Sequence, residues 1–202
     1  MGRIVNDISG LVFNKYLYYF SQIRRRIIWT IFFKTVLFFK GIRIGARCRF
    51  YGKAFFYRYP GSKIIIGVNC GFRSYYNSNL IGINHPCILA THLKDAELLI
   101  GNNCGFSGTT IGAFKSIKIG DNVKCGANTL ITDGDWHPND FRSHEPKEVL
   151  IGDNVWIGEG AKILKGASIG QNSVIGAGSI VTSNIPSNVV AAGNPCKVIK
   201  TL

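Results

Sequence analysis

One short stretch of this 202-residue chain concentrates the side chains of acid–base chemistry. In "ITDGDWHPNDFR", residues 131–142, Asp133, Asp135 and His137 alternate with other residues, and Trp136 stands beside the histidine. Histidine is the side chain whose unperturbed pKa, roughly 6.5, lets it take a proton near neutral pH. Set against a hydroxyl, which is a poor nucleophile, such a base removes the proton as attack proceeds and lowers the barrier. Either aspartate could accept a hydrogen bond from the second ring nitrogen and fix the tautomer, as the carboxylate of a catalytic triad does, with Asp135 slightly preferred over Asp133. Asp and Gly also make ordinary turns, so the same residues are compatible with plain loop chemistry.

The residues on either side of this stretch keep a strict beat. From Ile151 the chain reads "IGDNVW IGEGAK ILKGAS IGQNSV IGAGSI VTSNIP", so Ile151, Ile157, Ile163, Ile169, Ile175 and Val181 are spaced by six. Gly152, Gly158, Gly170 and Gly176 follow four of those leads. Upstream the beat reappears at Ile119, Cys125 and Ile131, and more weakly at Ile100 and Phe106, Ile66 and Phe72, and Ile44 and Phe50. This period fits neither an α-helix nor a plain two-sided strand over such a length. It fits a β-solenoid in which each hexad is one short strand plus one corner, and three hexads make a triangular coil of about 18 residues. The aliphatic lead points into the coil, and the Gly, Asn and Asp that follow are expected to turn the corner, including at positive φ. Smooth periodic faces offer no place for chemistry. The break over residues 132–149 is therefore expected to be an extruded loop that carries His137 away from the coil, within reach of a neighbouring subunit.

The stretch "IGDNVWIGEGAKILKGASIGQNSVIGAGSIVTSNIPSNVVAAGNPCKVIK" resembles the left-handed β-helix hexapeptide-repeat acyltransferases. It is most similar to the galactoside and maltose O-acetyltransferases and their relatives that acetylate capsule and O-antigen sugars. The resemblance is specific from about Ile100 to Lys200, looser across residues 41–99 and absent over residues 1–40. It implies an all-β, left-handed parallel β-helix over residues 41–202, with a C-terminal tail at 186–202 and an N-terminal helical segment. It also implies a homotrimer with active sites between subunits, acetyl-CoA as acyl donor and a sugar or lipid-linked glycan as acceptor. His137 matches the family's "HP" histidine, the base for attack on the thioester. Ser107 matches a polar residue that contacts acceptor or thioester. Trp156 and Gly158 lie beside the groove for the pantetheine arm, with a backbone N–H near Gly158 or Glu159 as oxyanion donor. The family often has a small or hydroxyl residue where this chain has Glu159, which argues for a backbone role there. Ala177, Thr182 and Ser183 match positions lining the CoA channel, although many relatives have lysine at the Ser183 position. Lys197 and Lys200 match basic residues that meet the CoA phosphates, a task suited to point charges.

The net charge of +13 is uneven: residues 1–60 hold half of the 24 Lys and Arg but only Asp7 among the 11 acids. Within "LVFNKYLYYFSQIRRRIIWTIFFKTVLFFKGI" the apolar runs are too interrupted for the roughly 20 residues that a membrane span needs. Residues 1–40 are instead expected to form a basic amphipathic segment that caps the coil, lies on an anionic membrane surface, or does both. Trp29, Phe32, Phe33 and Phe38 would dip in, and Arg24, Arg25, Arg26, Lys34 and Lys40 would stay polar. Each basic residue there adds about 1 kcal/mol of attraction to an anionic leaflet. The segment is too apolar for a nucleic-acid groove. No apolar run followed by a small-residue cleavage site marks a signal peptide, so the expected location is cytoplasmic, any membrane contact being peripheral at the inner face.

The cysteines at 48, 70, 87, 104, 125 and 196 form no CxxC pair and read as reduced, mostly buried thiols. None is placed with the base as a nucleophile, so no covalent acyl-enzyme is expected. The histidines at 85, 92, 137 and 144 give weak support for the three-histidine zinc site that γ-class carbonic anhydrases build on this scaffold, and no metal is expected. The leading expectation is an O-acetyltransferase acting on a sugar hydroxyl in surface polysaccharide biosynthesis. The alternatives are an N-acyltransferase on an amino sugar, which needs the same base, and a non-catalytic β-solenoid scaffold.

Overall fold

The computed structural model describes residues 10–137 and 139–202. Residues 1–9 of the expected N-terminal segment and Pro138 of the loop lie outside the described residues. The hexads form a left-handed parallel β-helix of triangular section, three sheets wrapped around one core. The first face stacks Arg43–Ile44, Lys63–Ile66, Glu97–Ile100, Ser116–Ile119, Val149–Ile151 and Ser168–Ile169. The second runs through Arg49–Tyr51, Gly71–Arg73, Gly105–Ser107, Lys124–Ala127, Trp156–Ile157, Val174–Ile175 and Val189–Ala192. The third runs through Phe55–Tyr57, Ile88–Thr91, Thr110–Ala113, Leu130–Thr132, Lys162–Ile163 and Ile180–Val181. A last strand, Lys197–Thr201, folds back antiparallel on Val189–Ala192 and ends the second sheet.

Every lead residue points inward, because successive side chains of a strand alternate between faces and only one face is dry. The inner column of the second face begins with stacked aromatics. Phe50 and Phe72 lie 4.9 Å apart, and Phe72 and Phe106 5.3 Å apart, with nearly parallel rings. The column continues as Cys125, Ile157, Ile175 and Ala191. The open N-terminal end is covered by helix α1, Leu17–Phe39, which follows a π-helical segment, Gly10–Tyr16. Phe33 of α1 sits 4.8 Å from Phe50, and Leu37 is fully buried beside it. The opposite side of α1 leaves Phe20, Ile23, Ile27, Ile31 and Phe38 exposed at helical spacing. Among the described residues, no helix is long and apolar enough to cross a membrane.

The corners turn at positive φ, as expected, and asparagine takes most of these positions on one edge. Between the first and second faces the left-handed residue is Arg47 in the first coil, with φ of 60°, and an asparagine in every later one: Asn69, Asn103, Asn122, Asn154, Asn172 and Asn188 all have φ of 57–61°. Their amides form ladders, such as Asn154 to Asn172 at 3.0 Å and Asn172 to Asn188 at 2.9 Å. The glycines that follow the leads are needed for a different reason. A Cβ on Gly158 would stand 2.5 Å from the backbone nitrogen of Ala177 in the next coil, so only glycine lets the coils approach. All six cysteines are free and buried. Burial raises the Cys87 and Cys125 thiols above their ordinary range, which keeps them unreactive.

Candidate active site

Two edges of the prism depart from the regular pattern. At the edge between the third and first faces, the coil before the break turns with just Phe114 and Lys115. The next coil spends residues 133–148 on the same turn and resumes in register, with Ile117 opposite Val149 and Ile119 opposite Ile151. The break is an enlarged corner.

Asp133 roots this loop. It is fully buried, and its carboxylate accepts hydrogen bonds from the amides of Phe114 at 2.6 Å, Lys115 at 2.9 Å and Ser116 at 2.5 Å. Both oxygens thus bond to the preceding corner, and no hydrogen bond joins Asp133 to the His137 ring among the described residues. Asp135 accepts from the His144 amide at 2.9 Å and from the Lys165 ammonium of the next coil. The His144 amide first, then Lys165, holds its carboxyl below the usual range. Its bonded partners lie across the loop and not on the His137 ring, so the preferred orienter also proves to be a tether. Glu148 closes the far root, accepting from Ser116 Oγ at 2.8 Å and pairing with Lys118 at 2.6 Å. Trp136 packs edge-on against His92 and Phe114, at 4.9 and 5.5 Å, with its ring over Gly112. Burial lowers the His92 pKa despite the nearby Asp133 charge. Beyond these anchors the His137 carbonyl accepts from the Asp140 amide at 3.0 Å and from Ser143 Oγ. The residue itself is exposed, and Phe141 at the loop tip is 93% exposed.

The edge between the second and third faces carries the other half of the expected residues. Trp156, Gly158, Glu159 and Ala177 line one groove of about 480 Å³, with Asn79 and Ile81 on its rim. Ser107 lies at the same edge, its Oγ accepting from Asn79 Nδ2 at 3.2 Å. The Gly158 N–H donates to the Ile175 carbonyl at 2.8 Å, so of the two expected positions only Glu159 has a free amide. The neighbouring amides of Glu159 and Ala177 have no acceptor among the described residues and face the glycine-lined groove, over Gly126 and Gly158. Lys197 pairs opposite Ala192, next to Gly176 at the end of this groove, and Lys200 lies opposite Val190 further along the same hairpin. Thr182 and Ser183 are exposed at the His137 edge, on the opposite side of the third face from Ala177.

The residues thus fall into two sets that one chain does not bring together. Sequence reasoning missed Lys165, which the hexads show only as a corner residue, and the stacked His92–Phe114 pair beneath Trp136. It also missed a second irregular segment, residues 74–87, whose Asn79 and Ile81 wall the groove. The signal there was the loss of the beat between Phe72 and Leu89, weak because the upstream rhythm is itself loose. Among the described residues no group of three or more His, Cys, Asp or Glu is placed to hold a metal ion.

The bacterial transferase hexapeptide (six repeats) family matches residues 148–183. The chain is similar to the galactoside O-acetyltransferase of Escherichia coli (strain K12), 46% identical over 115 residues that cover 53% of this chain and 55% of that protein. It is also similar to the putative acetyltransferase YJL218W of Saccharomyces cerevisiae, 51% identical over 111 residues, 43% of this chain and 57% of that protein. The chain spans about half the length of these curated relatives. Among solved structures it shares its fold with AntD, an N-acyltransferase from Bacillus cereus in complex with dTDP and 3-hydroxybutyryl-CoA. The TM-score is 0.62 at 20% identity, over 83% of this chain and 87% of that one.

Proposed function

We propose that this member of the hexapeptide-repeat transferase family is an acetyl-CoA-dependent O-acetyltransferase of a sugar hydroxyl, working as a homotrimer in surface polysaccharide assembly. The observation that carries the reading is the split itself. A base-bearing arm stands on one edge, and a groove with two free backbone donors stands on another. A cyclic trimer repeats one heterologous contact three times, so the arm of each chain can meet the groove of the next. An almost fully exposed Phe141 at the arm's tip suits such a contact.

The groove fits a thioester donor. Beside Glu159 and Asn79, its walls are mostly glycine, alanine, aliphatic side chains and the exposed ring of Trp156, which leave room for a narrow, mostly apolar arm. Acetyl-CoA supplies the activated acetyl group when bound. The Glu159 amide donates to the negative charge that develops on the acyl oxygen, a task for which a prepositioned backbone N–H needs no reorganisation. His137 takes the proton of the attacking hydroxyl and passes it to the leaving sulfur. Asp133, Asp135 and Lys165 position the arm and do not touch the reacting atoms. Thr182 and Ser183 of the arm-bearing chain and Ala177, Lys197 and Lys200 of the next would line the donor from both sides. Transfer to an amine would use the same base, and no described residue favours it. The exposed apolar stripe of α1 and its basic neighbours are taken to rest on an anionic membrane, which would bring the enzyme to a membrane-borne acceptor.

The test is subunit mixing. His137→Ala removes the base, and Ala177→Trp plugs the groove at an exposed position. Each homotrimer should be inactive with acetyl-CoA and a panel of sugar acceptors. Co-refolded in equal amounts, the two should recover about a quarter of wild-type activity, the share of interfaces that pair an intact arm with an intact groove. Mixtures as inactive as the parents would refute a shared site.

A further inference from the structure

The outer surface of the second face has a feature that its coil does not require. Gly71 and Gly105 are direct strand partners, neither has a left-handed φ, and a Cβ on either would meet nothing within 4 Å. Elsewhere in the coil glycine is forced by contact: a Cβ on Gly67 would stand 2.5 Å from the Gly101 carbonyl oxygen. Glycine weakens a strand, and where neither conformation nor packing asks for it, it marks a place where something else approaches the backbone closely.

The two glycines floor a trough of about 420 Å³. Arg49 pairs beside Gly71 and Lys124 beside Gly105, so a cation stands at each end of the floor, and Arg73 adds a third with its guanidinium 4.6 Å above the Tyr51 ring. One Arg49 nitrogen, Nη2, is held by Asn69 Oδ1 at 3.0 Å, while Nε is buried with no hydrogen-bond partner. No Asp or Glu lines the trough among the described residues. Three cations around a bare backbone floor suit an anion whose charge is spread over several oxygens, since guanidinium forks match phosphate geometry.

The trough continues in both directions. Tyr51, Arg73 and Asn79 also line a hollow of about 550 Å³ whose other wall is α1, with Tyr18, Gln22 and Arg26. At the far end, Asn79 and Trp156 lead into the Gly158–Ala177 groove. One path therefore runs from α1, whose exposed stripe is apolar, across three cations to the edge with the free amides. We propose that this path binds a diphosphate-linked acceptor sugar, with the diphosphate over Gly71 and Gly105, the sugar toward Ser107 and Trp156, and an apolar aglycone toward α1. The direction assigned to the sugar rests on the acetyltransferase reading; the diphosphate site does not.

The experiment is calorimetric titration of the full chain first with acetyl-CoA, then, both without acetyl-CoA and at its saturation, with inorganic pyrophosphate, geranyl diphosphate and UDP in turn. Pyrophosphate is expected to bind, with affinity falling about tenfold in Arg49→Gln and in Lys124→Gln. Gly105→Leu, which has room for its side chain only in the trough, is expected to abolish binding at unchanged oligomer mass. The prenyl chain should add affinity, about tenfold, that the nucleoside does not. Equal pyrophosphate binding by the variants, or none by the wild type, overturns the site. A changed oligomer mass in Gly105→Leu would give the glycines to a partner subunit, and loss of pyrophosphate binding on saturation would give the trough to the donor's own diphosphate. Either result overturns the proposal, and UDP binding tighter than geranyl diphosphate overturns the lipid direction. Acetyl-CoA binding, read in the first titration, separates the two readings: if it binds and pyrophosphate does not, the transferase stands and the diphosphate site falls.

Discussion

The His137 edge and the Trp156 edge are built from the same three-sided coil, yet they solve opposite problems. At the first, sixteen residues leave the coil and every root is tied. Asp133 gathers three amides, Asp135 holds the His144 amide and Lys165, and Glu148 holds Ser116 and Lys118. At the second, small residues keep the corner bare, and two amides are left without acceptors. One edge stabilises an excursion so that a single side chain can be presented. The other gives up side chains so that backbone donors stay open. A charge-stabilising donor costs little in a solenoid, where the ladder already fixes its position, whereas a mobile side-chain base needs a rigid arm.

The contrast makes its largest prediction at His137. His137→Ala should lower kcat by about two to four decades with the KM for acetyl-CoA unchanged, the signature of general-base loss. A matching rise in KM would instead assign His137 to donor binding. The next effect is on stability. Asp133→Ala strands three amides at a buried corner and should cost about 3 kcal/mol, read from the urea midpoint at constant m-value. A loss under about 1 kcal/mol would mean that the arm is held by other contacts.

Much of this architecture was legible in the sequence because a solenoid repeats its constraints. Ile151 to Val181 announce coil, strand and inward face at once, since each lead meets the same surroundings one coil later. The break at Thr132 was visible as an interruption of a strong signal. What stayed hidden was which acceptor each polar residue would satisfy. Asp133 and Asp135 look alike as neighbours of His137, and the difference between them lies in the amides of Phe114 to Ser116 and in Lys165. Those partners come from adjacent coils, which spacing along the chain does not reveal. The irregular segment 74–87 was missed for a related reason: its own coil has so loose a beat that a break hardly registers.

A smaller effect probes how tightly the arm must be set. The Trp136 ring lies over Gly112, where an added Cβ would stand 2.7 Å from the indole. Gly112→Ala must shift that ring, and with it the residue before His137, while leaving the buried coil intact. Turnover should fall about tenfold, a cost near 1.4 kcal/mol, with a changed Trp fluorescence and a nearly unchanged melting temperature. Unaltered kcat alongside an altered fluorescence would show that the arm tolerates motion at Trp136.

The smallest effect belongs to the Asp135–Lys165 tether, and pH sets its sign. The Asp135 carboxyl is held below its ordinary value of 3.8 by the His144 amide and Lys165, so the folded protein favours the ionised form. Such a group contributes its stability above the unfolded pKa and loses it as pH falls through the lower, folded pKa. The pair is partly exposed, with about a third of the Asp135 side chain open to solvent, so screening keeps its contribution under about 1 kcal/mol. Asp135→Asn should therefore be slightly less stable than wild type at neutral pH, and the gap should close as acid protonates the wild-type carboxyl. If the gap persisted below the folded pKa, the tether would act through the shape of the carboxylate rather than its charge. Asp135 would then resemble Asp133 in being a fixed part of the scaffold. If it closes, the two aspartates differ in kind: one buried and permanent, the other an adjustable strap on the arm that carries His137.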